Sequence, residues 1–259
     1  MPDLKIIVVQ PDILWKNIPG NQKKISEMLD TADTDADLIV LPEMFQTGFC
    51  TQPADVAEPM DGSTVRWMKR TAEARNCAIA GSLVIKEGRR FYNRLVYIDQ
   101  YENMSWYDKR HLFTIEGEES KYTPGLRHLV VPLKGWHISF LICYDLRFPV
   151  WARNAENYDV LVYSASWPES RDDVWSTLLR ARAMENQSYV IGVNRTGTDG
   201  NKLNYVGNSI VVDPKGRVMA GMKDSHEGLL SVTLSKEPLD KFRKEFPAWK
   251  DADDFELKI

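Results

Sequence analysis

The segment HISFLICYDLRFP, residues 137–149, indicates the fold most directly. Its first part, residues 137–143, is largely apolar and predicts a buried β-strand. Residues 144–156 bring charged side chains and predict a turn that leads into a helix, with Pro149 in the first helical turn. Cys143 lies at this strand-to-helix elbow, where a thiol can be exposed at the edge of a sheet. Cys143 is therefore a candidate nucleophile, although a packed core cysteine also fits this segment alone.

Apolar segments with strand-like composition recur along the rest of the chain. Further buried strands are predicted at residues 4–9, 37–41, 77–85, 94–98, 159–166, 189–194, 208–213 and 228–234. Glycine-containing turns at residues 86–90 and 213–217 predict hairpins between neighbouring strands. Because hairpins make strands antiparallel and helical crossovers make them parallel, we expect mixed sheets in an α/β fold.

Two segments have the 3.6-residue apolar period of a helix. The first lies before the strand at residues 37–41 and has its apolar stripe at Ile25, Met28, Leu29 and Ala32. The second, residues 172–187, has a capping-box-like start at residues 170–173. Its expected core-facing side chains are Val174, Leu178 and Ala181.

The length of the chain suits one domain over residues 1–259, because a single hydrophobic core stops growing near about 250 to 300 residues. There is no internal repeat and no long linker. Residues from about 241 to 259 form a polar tail with spaced aromatic side chains and no clear helix period. We expect this tail to contact another subunit rather than the core of its own chain.

Charge and cysteine content exclude several classes of function. A formal net charge of −4 gives no electrostatic reason to expect nucleic acid or an anionic membrane as partner. The three cysteines have no CxxC spacing, which argues against a disulfide framework and against structural zinc. No segment approaches about 18 consecutive apolar residues, and the N-terminal residues lack the apolar core of a signal peptide. We expect a soluble, cytoplasmic protein.

A reactive thiol needs a group that accepts its proton and a cation that stabilises the thiolate. Glu43 follows a predicted strand and Pro42, so its carboxylate is expected at a strand end. Lys109 lies among aromatic and apolar residues in WYDKRHLF, residues 106–113, where its ammonium can be partly desolvated. A solvated surface position is the ordinary alternative for each side chain. The four histidines lie in no recognisable protease context, so a Cys–His pair is the minor alternative.

Three separated motifs occur in the order of a known family. They are LPE at residues 41–43, YDKRHLF at 107–113 and CYDLRFP at 143–149. In order and spacing they resemble the nitrilase superfamily of carbon–nitrogen hydrolases, and the similarity continues through residues 164–168, 180–197 and 207–218. The resemblance implies a four-layer α-β-β-α sandwich with two mixed sheets, and an enzyme that needs no metal or organic cofactor.

The resemblance also implies roles for the motif residues. Glu43 corresponds to the general base, Lys109 to the cation that stabilises the tetrahedral intermediate, and Cys143 to the nucleophile. The backbone N–H of Tyr144 is expected to complete the oxyanion site with Lys109. We therefore expect acylation of the thiol by an amide, followed by hydrolysis of the thioester.

A second glutamate helps to position the lysine in this superfamily, shortly before an aromatic-x-PG turn. Here the segment EGEESKYTPG, residues 116–125, offers three glutamates. Spacing back from the Pro-Gly pair favours Glu118 and leaves Glu119 as the alternative. A solvated acidic loop explains at least two of the three.

The residues around the cysteine most resemble the omega-amidase branch, which hydrolyses the terminal amide of 2-oxo acid amides such as 2-oxoglutaramate and 2-oxosuccinamate. The far carboxylate of such a substrate needs a cation, for which Arg171 is the candidate. Trp167 and Phe45 are candidate pocket walls, with core packing as the equally open alternative. Another amidase, a carbamoylase or a nitrile hydrolase of the same superfamily is the alternative function.

Quaternary structure follows from the resemblance alone. Members of the superfamily commonly pair, so we expect at least a homodimer. Two further arginines, Arg147 and Arg195, can serve folding or subunit contact instead of substrate binding. The expected partner of the site is a small amide.

Overall fold

The computed structural model describes residues 2–32, 35–222 and 225–258. Within these ranges the strands are β1 (Leu4–Gln10), β2 (Leu38–Val40), β3 (Ala78–Glu87), β4 (Arg90–Ile98), β5 (Met104–Asp108), β6 (Val130–Leu133), β7 (Trp136–Ile142), β8 (Val160–Ser164), β9 (Tyr189–Val193), β10 (Thr196–Thr198), β11 (Asn204–Val206), β12 (Ile210–Val212), β13 (Val218–Gly221) and β14 (Gly228–Leu234). The α-helices are α1 (Ile18–Asp30), α2 (Ser63–Arg75), α3 (Asp172–Asn186) and α4 (Lys236–Glu245).

Two six-stranded mixed sheets form the centre of the fold. The first has the strand order β14-β1-β2-β3-β4-β5 and the second has the order β13-β12-β9-β8-β7-β6. In the first sheet β1, β2 and β3 are parallel, and in the second β7, β8 and β9 are parallel. The flanking strands pair antiparallel, including the two predicted hairpins β3–β4 and β12–β13. The expectation of mixed sheets is confirmed.

The two sheets pack face to face. Side chains alternate between the two faces of each strand, so one face of each sheet contributes to the core between the sheets and the other faces the helices. Along β1, Leu4, Ile6 and Val8 belong to the core between the sheets, whereas Ile7 and Val9 pack towards the helices. Helices α1 and α2 cover the outer face of the first sheet, and α3 covers that of the second. This is the predicted four-layer α-β-β-α sandwich, which is confirmed.

The predicted helix after Cys143 is wrong. A 3₁₀ helix spans Cys143–Arg147, and no α-helix follows it in residues 148–156. Phe148 precedes Pro149 and adopts φ −115° and ψ 88°. The residue before a proline is excluded from helical backbone by a clash with the proline ring, so the turn cannot continue as a helix.

Helix α3 begins at the predicted residue, but the predicted capping box and buried face are wrong. The helix begins at Asp172, and Arg171 at its N-cap makes no capping hydrogen bond through its side chain. The buried side chains are Trp175, Leu179, Arg182, Ala183 and Asn186. The predicted set of Val174, Leu178 and Ala181 is only half-buried. The Trp175 indole fills the core and donates to Asn208 O at 2.8 Å, which fixes the rotation of the helix.

The C-terminal segment also differs from the prediction. Helix α4 extends to Glu245, so the first residues of the expected tail are helical. Lys236 and Arg243 on this helix pair with the buried Asp159, which docks α4 onto the end of β8. Residues 252–258 have no regular structure and are exposed, and residue 259 lies outside the described residues. A contact of this tail with another subunit stays a prediction.

Candidate active site

One cavity gathers side chains from three distant segments. Glu43, Lys109 and Cys143 all line it. Glu43 lies shortly after β2 and Cys143 directly after β7, so both lie at the C-terminal ends of parallel strands in facing sheets. Lys109 directly follows β5. The sandwich therefore brings together the three residues that the motifs singled out.

The Glu43 carboxylate is fixed by both sheets. Its Oε2 accepts a hydrogen bond from the backbone N–H of Ser166 at 3.0 Å, and its Oε1 accepts one from Lys109 Nζ at 2.8 Å. The Ser166 hydroxyl donates to the backbone oxygen of Glu43 at 3.0 Å. The carboxylate is completely buried and has one definite orientation.

The Lys109 ammonium lies between two carboxylates. Its Nζ is 2.8 Å from Glu43 Oε1 and 2.9 Å from Glu118 Oε2. Asn93 Nδ2 joins the same two glutamates, at 2.8 Å from Glu43 and 3.0 Å from Glu118. Glu118 is buried, whereas the alternative, Glu119, is exposed. Of the two candidates for the second glutamate, only Glu118 is in contact with the lysine.

Protonation of this cluster follows from burial and charge. Burial alone favours neutral lysine, but the carboxylates of Glu118 and Glu43 outweigh it and raise the pKa of Lys109. Burial raises the pKa of Glu118, and Lys109 opposes this shift only in part. The lysine is therefore a permanent cation at neutral pH.

Cys143 has a strained backbone and a protonated thiol. Its φ of 44° lies in the left-handed region, which a residue with a side chain rarely adopts and which often marks a functional position. Its Sγ lies 3.8 Å from the backbone oxygen of Ser166. Burial and the neighbouring Glu43 charge raise the pKa of the Cys143 thiol well above its ordinary value, and Lys109 opposes them in part. The expected thiolate-stabilising effect of the lysine is therefore overcome, and attack by sulfur needs a base.

No histidine of the described ranges lines the cavity. His111 instead bonds through Nδ1 to Asp145 Oδ1 at 2.8 Å and stacks on Phe148 with ring centroids 3.7 Å apart. The minor alternative of a Cys–His pair is therefore wrong. Sequence reasoning missed Asp145, which also accepts hydrogen bonds from Tyr107 and Ile142 and ties the lysine segment to the elbow.

The two candidate pocket walls lie in different places. Trp167 lines the cavity, but Phe45 does not. The Phe45 ring is completely buried against Trp67, with centroids 5.8 Å apart, on the helix side of the first sheet. Phe49 lines the cavity instead, and Lys109 Nζ lies 5.3 Å from its ring centroid. Met44, just before Phe45, adopts φ 46°, a left-handed backbone conformation that sequence periodicity does not predict.

Three arginines were candidates for different roles. Arg171, the candidate for the substrate carboxylate, lines the cavity with its guanidinium 5.2 Å from the Phe113 ring centroid. Arg147 also lines the cavity, and its guanidinium lies 5.1 Å from the Trp167 ring centroid. Arg195 is completely buried and donates to the backbone oxygens of Thr196 and Ile13, which fits a folding role.

Metal-binding clusters and membrane-spanning helices are both absent from the described residues. No group of three or more His, Cys, Asp or Glu side chains in these ranges is arranged to hold a metal ion. None of the described helices combines the length and the apolar character needed to cross a membrane.

Comparison with known proteins places this site in a family. Residues 5–244 match the family model described as Carbon-nitrogen hydrolase. The chain is 42% identical over 258 residues to the omega-amidase YafV of Escherichia coli, covering 99% of this chain and 100% of the relative. It is 33% identical over 252 residues to the 2-oxoglutaramate amidase of Bacillus subtilis, covering 95% and 96% of the two chains.

Solved structures agree with this placement. A CN-hydrolase superfamily protein of Xanthomonas campestris, with an arsenic adduct in its active site, superposes with a TM-score of 0.97 at 39% identity over 100% of both chains. A mutant amidase of Nesterenkonia sp., showing Michael addition of acrylamide at the active-site cysteine, gives 0.82 at 25% identity over 95% of this chain and 99% of the other. The chain belongs to the carbon–nitrogen hydrolase family, within the nitrilase superfamily. It is a hydrolase that acts on amides.

Proposed function

We propose that this amidase hydrolyses the terminal amide of a small 2-oxo acid amide, such as 2-oxoglutaramate or 2-oxosuccinamate, to the acid and ammonia. The observation that carries the proposal is the gathering of Glu43, Lys109 and Cys143 in one cavity. The substrate class is supported by two relatives named omega-amidase and 2-oxoglutaramate amidase. In this proposal the thiol of Cys143 carries the acyl group as a thioester.

Acylation begins with attack of Cys143 Sγ on the amide carbonyl carbon. Glu43 takes the thiol proton during the attack, because the raised pKa of the thiol disfavours a thiolate formed beforehand. The oxyanion is stabilised by the Lys109 ammonium and the backbone N–H of Tyr144. Such donors contribute about 3 kcal/mol each to the stability of the transition state. Glu43 then delivers the proton to the nitrogen, the C–N bond breaks, and ammonia leaves.

Deacylation uses the same groups in the same places. Glu43 takes a proton from a water molecule, whose oxygen attacks the thioester carbon. The same two donors stabilise the second oxyanion, the C–S bond breaks, and the sulfur recovers its proton from Glu43. Glu118 and Asn93 act as positioning residues, since they hold Lys109 and Glu43 without facing the sulfur.

The far carboxylate of the substrate is proposed to bind Arg171. Arg171 lines the cavity, and in the described part of the chain its guanidinium forms no ion pair with a carboxylate. Arg147 has the same two properties, so it joins Arg171 as a second cation for the substrate. A stacked, unpaired guanidinium has its hydrogen-bond donors available for bidentate recognition.

Release of ammonia from 2-oxoglutaramate tests the function directly. Wild type is expected to release ammonia, and Cys143→Ala is expected to release none above background. A panel of amides of equal length, with and without the 2-oxo acid group, then tests the substrate class. We expect kcat/KM to be about 100-fold higher for the 2-oxo acid amide than for the amide without that group. The neutral amide leaves polar groups of the site without a hydrogen-bond partner, which weakens its binding in the transition state. Equal values for the two amides would contradict the proposal.

We also propose that the enzyme is at least a homodimer and works in the cytoplasm. Phe246, Trp249 and Phe255 are exposed near the C-terminus, as expected for residues that a second subunit covers. All three cysteines are free, as in a reducing compartment. Light scattering of the eluting protein measures the mass, and a monomer at micromolar concentration would contradict the first proposal.

A further inference from the structure

Three charged side chains form the outer wall of the cavity and take no part in the proton transfers. They are Glu116, Arg147 and Arg171. The two arginines stack on aromatic rings and have a proposed ligand, the substrate carboxylate. Glu116 has none, although it lines the same cavity as the catalytic cysteine.

The Glu116 carboxylate is half-buried and unpaired. Within residues 2–32, 35–222 and 225–258 it accepts no hydrogen bond and forms no ion pair. Its residue ends the 3₁₀ turn Thr114–Glu116, and the next turn, Glu118–Ser120, carries the glutamate that contacts Lys109. An unpaired carboxylate at such a place imposes its field on any ligand in the cavity.

The charges of the site act on the Glu116 carboxylate. Burial raises the pKa of Glu116, and Arg171 only partly opposes this effect. The charges of Asp199 and Glu43 act in the same direction as burial, and Lys109 acts against it. The charged side chains of the cavity therefore change the pKa of Glu116, and the charge of Glu116 in turn contributes to the electrostatic potential in the cavity.

The reaction changes the charge of the molecule in the cavity. A neutral terminal amide and water become a carboxylate and an ammonium ion, so R–CO–NH₂ with H₂O gives R–COO⁻ with NH₄⁺. A 2-oxo acid amide enters with one negative charge, and the acid that remains has two. The new carboxylate forms at Cys143, beside the Glu43 carboxylate and within the cavity that Glu116 lines.

We propose that Glu116 is a specificity-determining residue that discriminates by charge, weakening the binding of the dicarboxylate product more than that of the monocarboxylate amide and so favouring product release. This inference rests on the proposed function for the identity of the substrate. The two arginines attract the carboxylate that substrate and product share, and Glu116 repels the second carboxylate that hydrolysis forms. Replacement of Glu116 by the neutral isostere glutamine removes the penalty and keeps the shape.

The test compares Glu116→Gln with the matched control Glu119→Gln, which removes the same charge from an exposed position of the same segment. Three ligands of increasing charge are used: butanamide as neutral substrate, 2-oxoglutaramate as monoanionic substrate, and 2-oxoglutarate as dianionic inhibitor. Inhibition is measured against butanamide hydrolysis. In Glu116→Gln, the inhibition constant for 2-oxoglutarate divided by the KM for butanamide is expected to fall about tenfold. The KM for 2-oxoglutaramate is expected to fall about threefold, as for a half-exposed charge.

The outcomes are separable. A uniform change for all three ligands, or the same change in Glu119→Gln, would overturn the inference, because a structural effect does not follow ligand charge. If butanamide is hydrolysed and 2-oxoglutaramate is not, the proposed substrate is wrong, yet the 2-oxoglutarate ratio still decides the role of Glu116. Calorimetric binding of 2-oxoglutarate to Cys143→Ala, with and without Glu116→Gln, gives the same ratio in the absence of turnover; unchanged affinity would overturn the inference.

Discussion

The charged side chains of the inner wall of the cavity are paired with each other, whereas those of the outer wall are unpaired within the part of the chain that the structure describes. In the inner wall, Lys109 is buried and paired with Glu43 and Glu118 at 2.8 and 2.9 Å. In the outer wall, Glu116 and Arg171 line the same cavity without an ion pair in the described residues. Paired charges hold a geometry, and unpaired charges remain available to a ligand. Inner-wall changes should therefore alter kcat and stability, and outer-wall changes should alter KM and selectivity.

The largest effect is expected for Cys143→Ala, which removes the nucleophile. Because the thiol and its base, Glu43, act together, loss of the nucleophile should lower kcat by about 10⁵-fold or more. Ammonia release under saturating substrate measures the loss. The control is Cys77→Ala, a buried cysteine on the helix side of the first sheet, which is expected to keep kcat within about twofold. Turnover by Cys143→Ala close to the wild-type rate would remove Cys143 from the mechanism.

Lys109→Met is expected to affect both rate and folding. The change leaves two buried carboxylates without their cation, so the free energy of unfolding should fall by about 3 to 5 kcal/mol. Loss of an oxyanion-stabilising group should lower kcat by about 10² to 10³-fold. Denaturant unfolding and ammonia release measure the two effects, with the exposed Lys121→Met as control. An unchanged free energy of unfolding would show that the ion pairs of Lys109 do not stabilise the fold.

Arg171→Ala tests the role of the unpaired charges in the outer wall. The KM for 2-oxoglutaramate should rise about 30-fold, as expected for loss of a charge-assisted hydrogen bond of about 2 kcal/mol, while stability changes little. The exposed Arg70→Ala serves as control for removal of one positive charge. An equal rise in KM for a neutral amide would show that Arg171 shapes the pocket instead of binding a carboxylate.

Thiol alkylation gives a smaller, pH-dependent effect. The raised pKa of Cys143 keeps its thiol protonated at neutral pH, so thiolate becomes available only as pH rises towards and beyond the ordinary value of 9.0. Iodoacetamide labelling of Cys143 should therefore accelerate about tenfold per unit between pH 7 and 9. Peptide mass spectrometry separates Cys143 from Cys77, whose pKa burial raises to about 11. A labelling rate that is flat across this range would indicate a preformed thiolate.

The smallest effect on activity is expected from the pair Phe45→Leu and Phe49→Leu. Phe45 packs on Trp67 outside the cavity, so its change should lower the free energy of unfolding by about 1 to 2 kcal/mol and leave KM unaltered. Phe49 lines the cavity beside Lys109, so its change should raise KM about threefold. Thermal unfolding and steady-state kinetics separate the two; a larger KM change for Phe45→Leu would restore it as a pocket wall.

Much of the fold is predictable because the buried strands contain long, largely apolar runs. Strands β1, β3, β7 and β8 were recognisable for this reason. The missed strands β5, β6 and β13 are half-exposed and lie at sheet edges, so their residues give no continuous apolar run. Periodicity predicts a buried face of α3 that is one residue away from the observed one, because it does not show that Trp175 is the side chain that packs in the core.

Local sequence is enough to predict the chemistry, because three motifs supply a carboxylate, an ammonium and a thiol, and apolar segments predict the strands of the sandwich that carries them. The neighbours of these groups follow from how the distant segments pack together. This packing selects Glu118 over Glu119 and Phe49 over Phe45, and it brings Asn93 between two carboxylates. Residue type and local period are encoded within a few positions of the chain. Burial, pairing and pKa depend instead on contacts between residues that lie 9 to 123 positions apart and meet only in the folded chain.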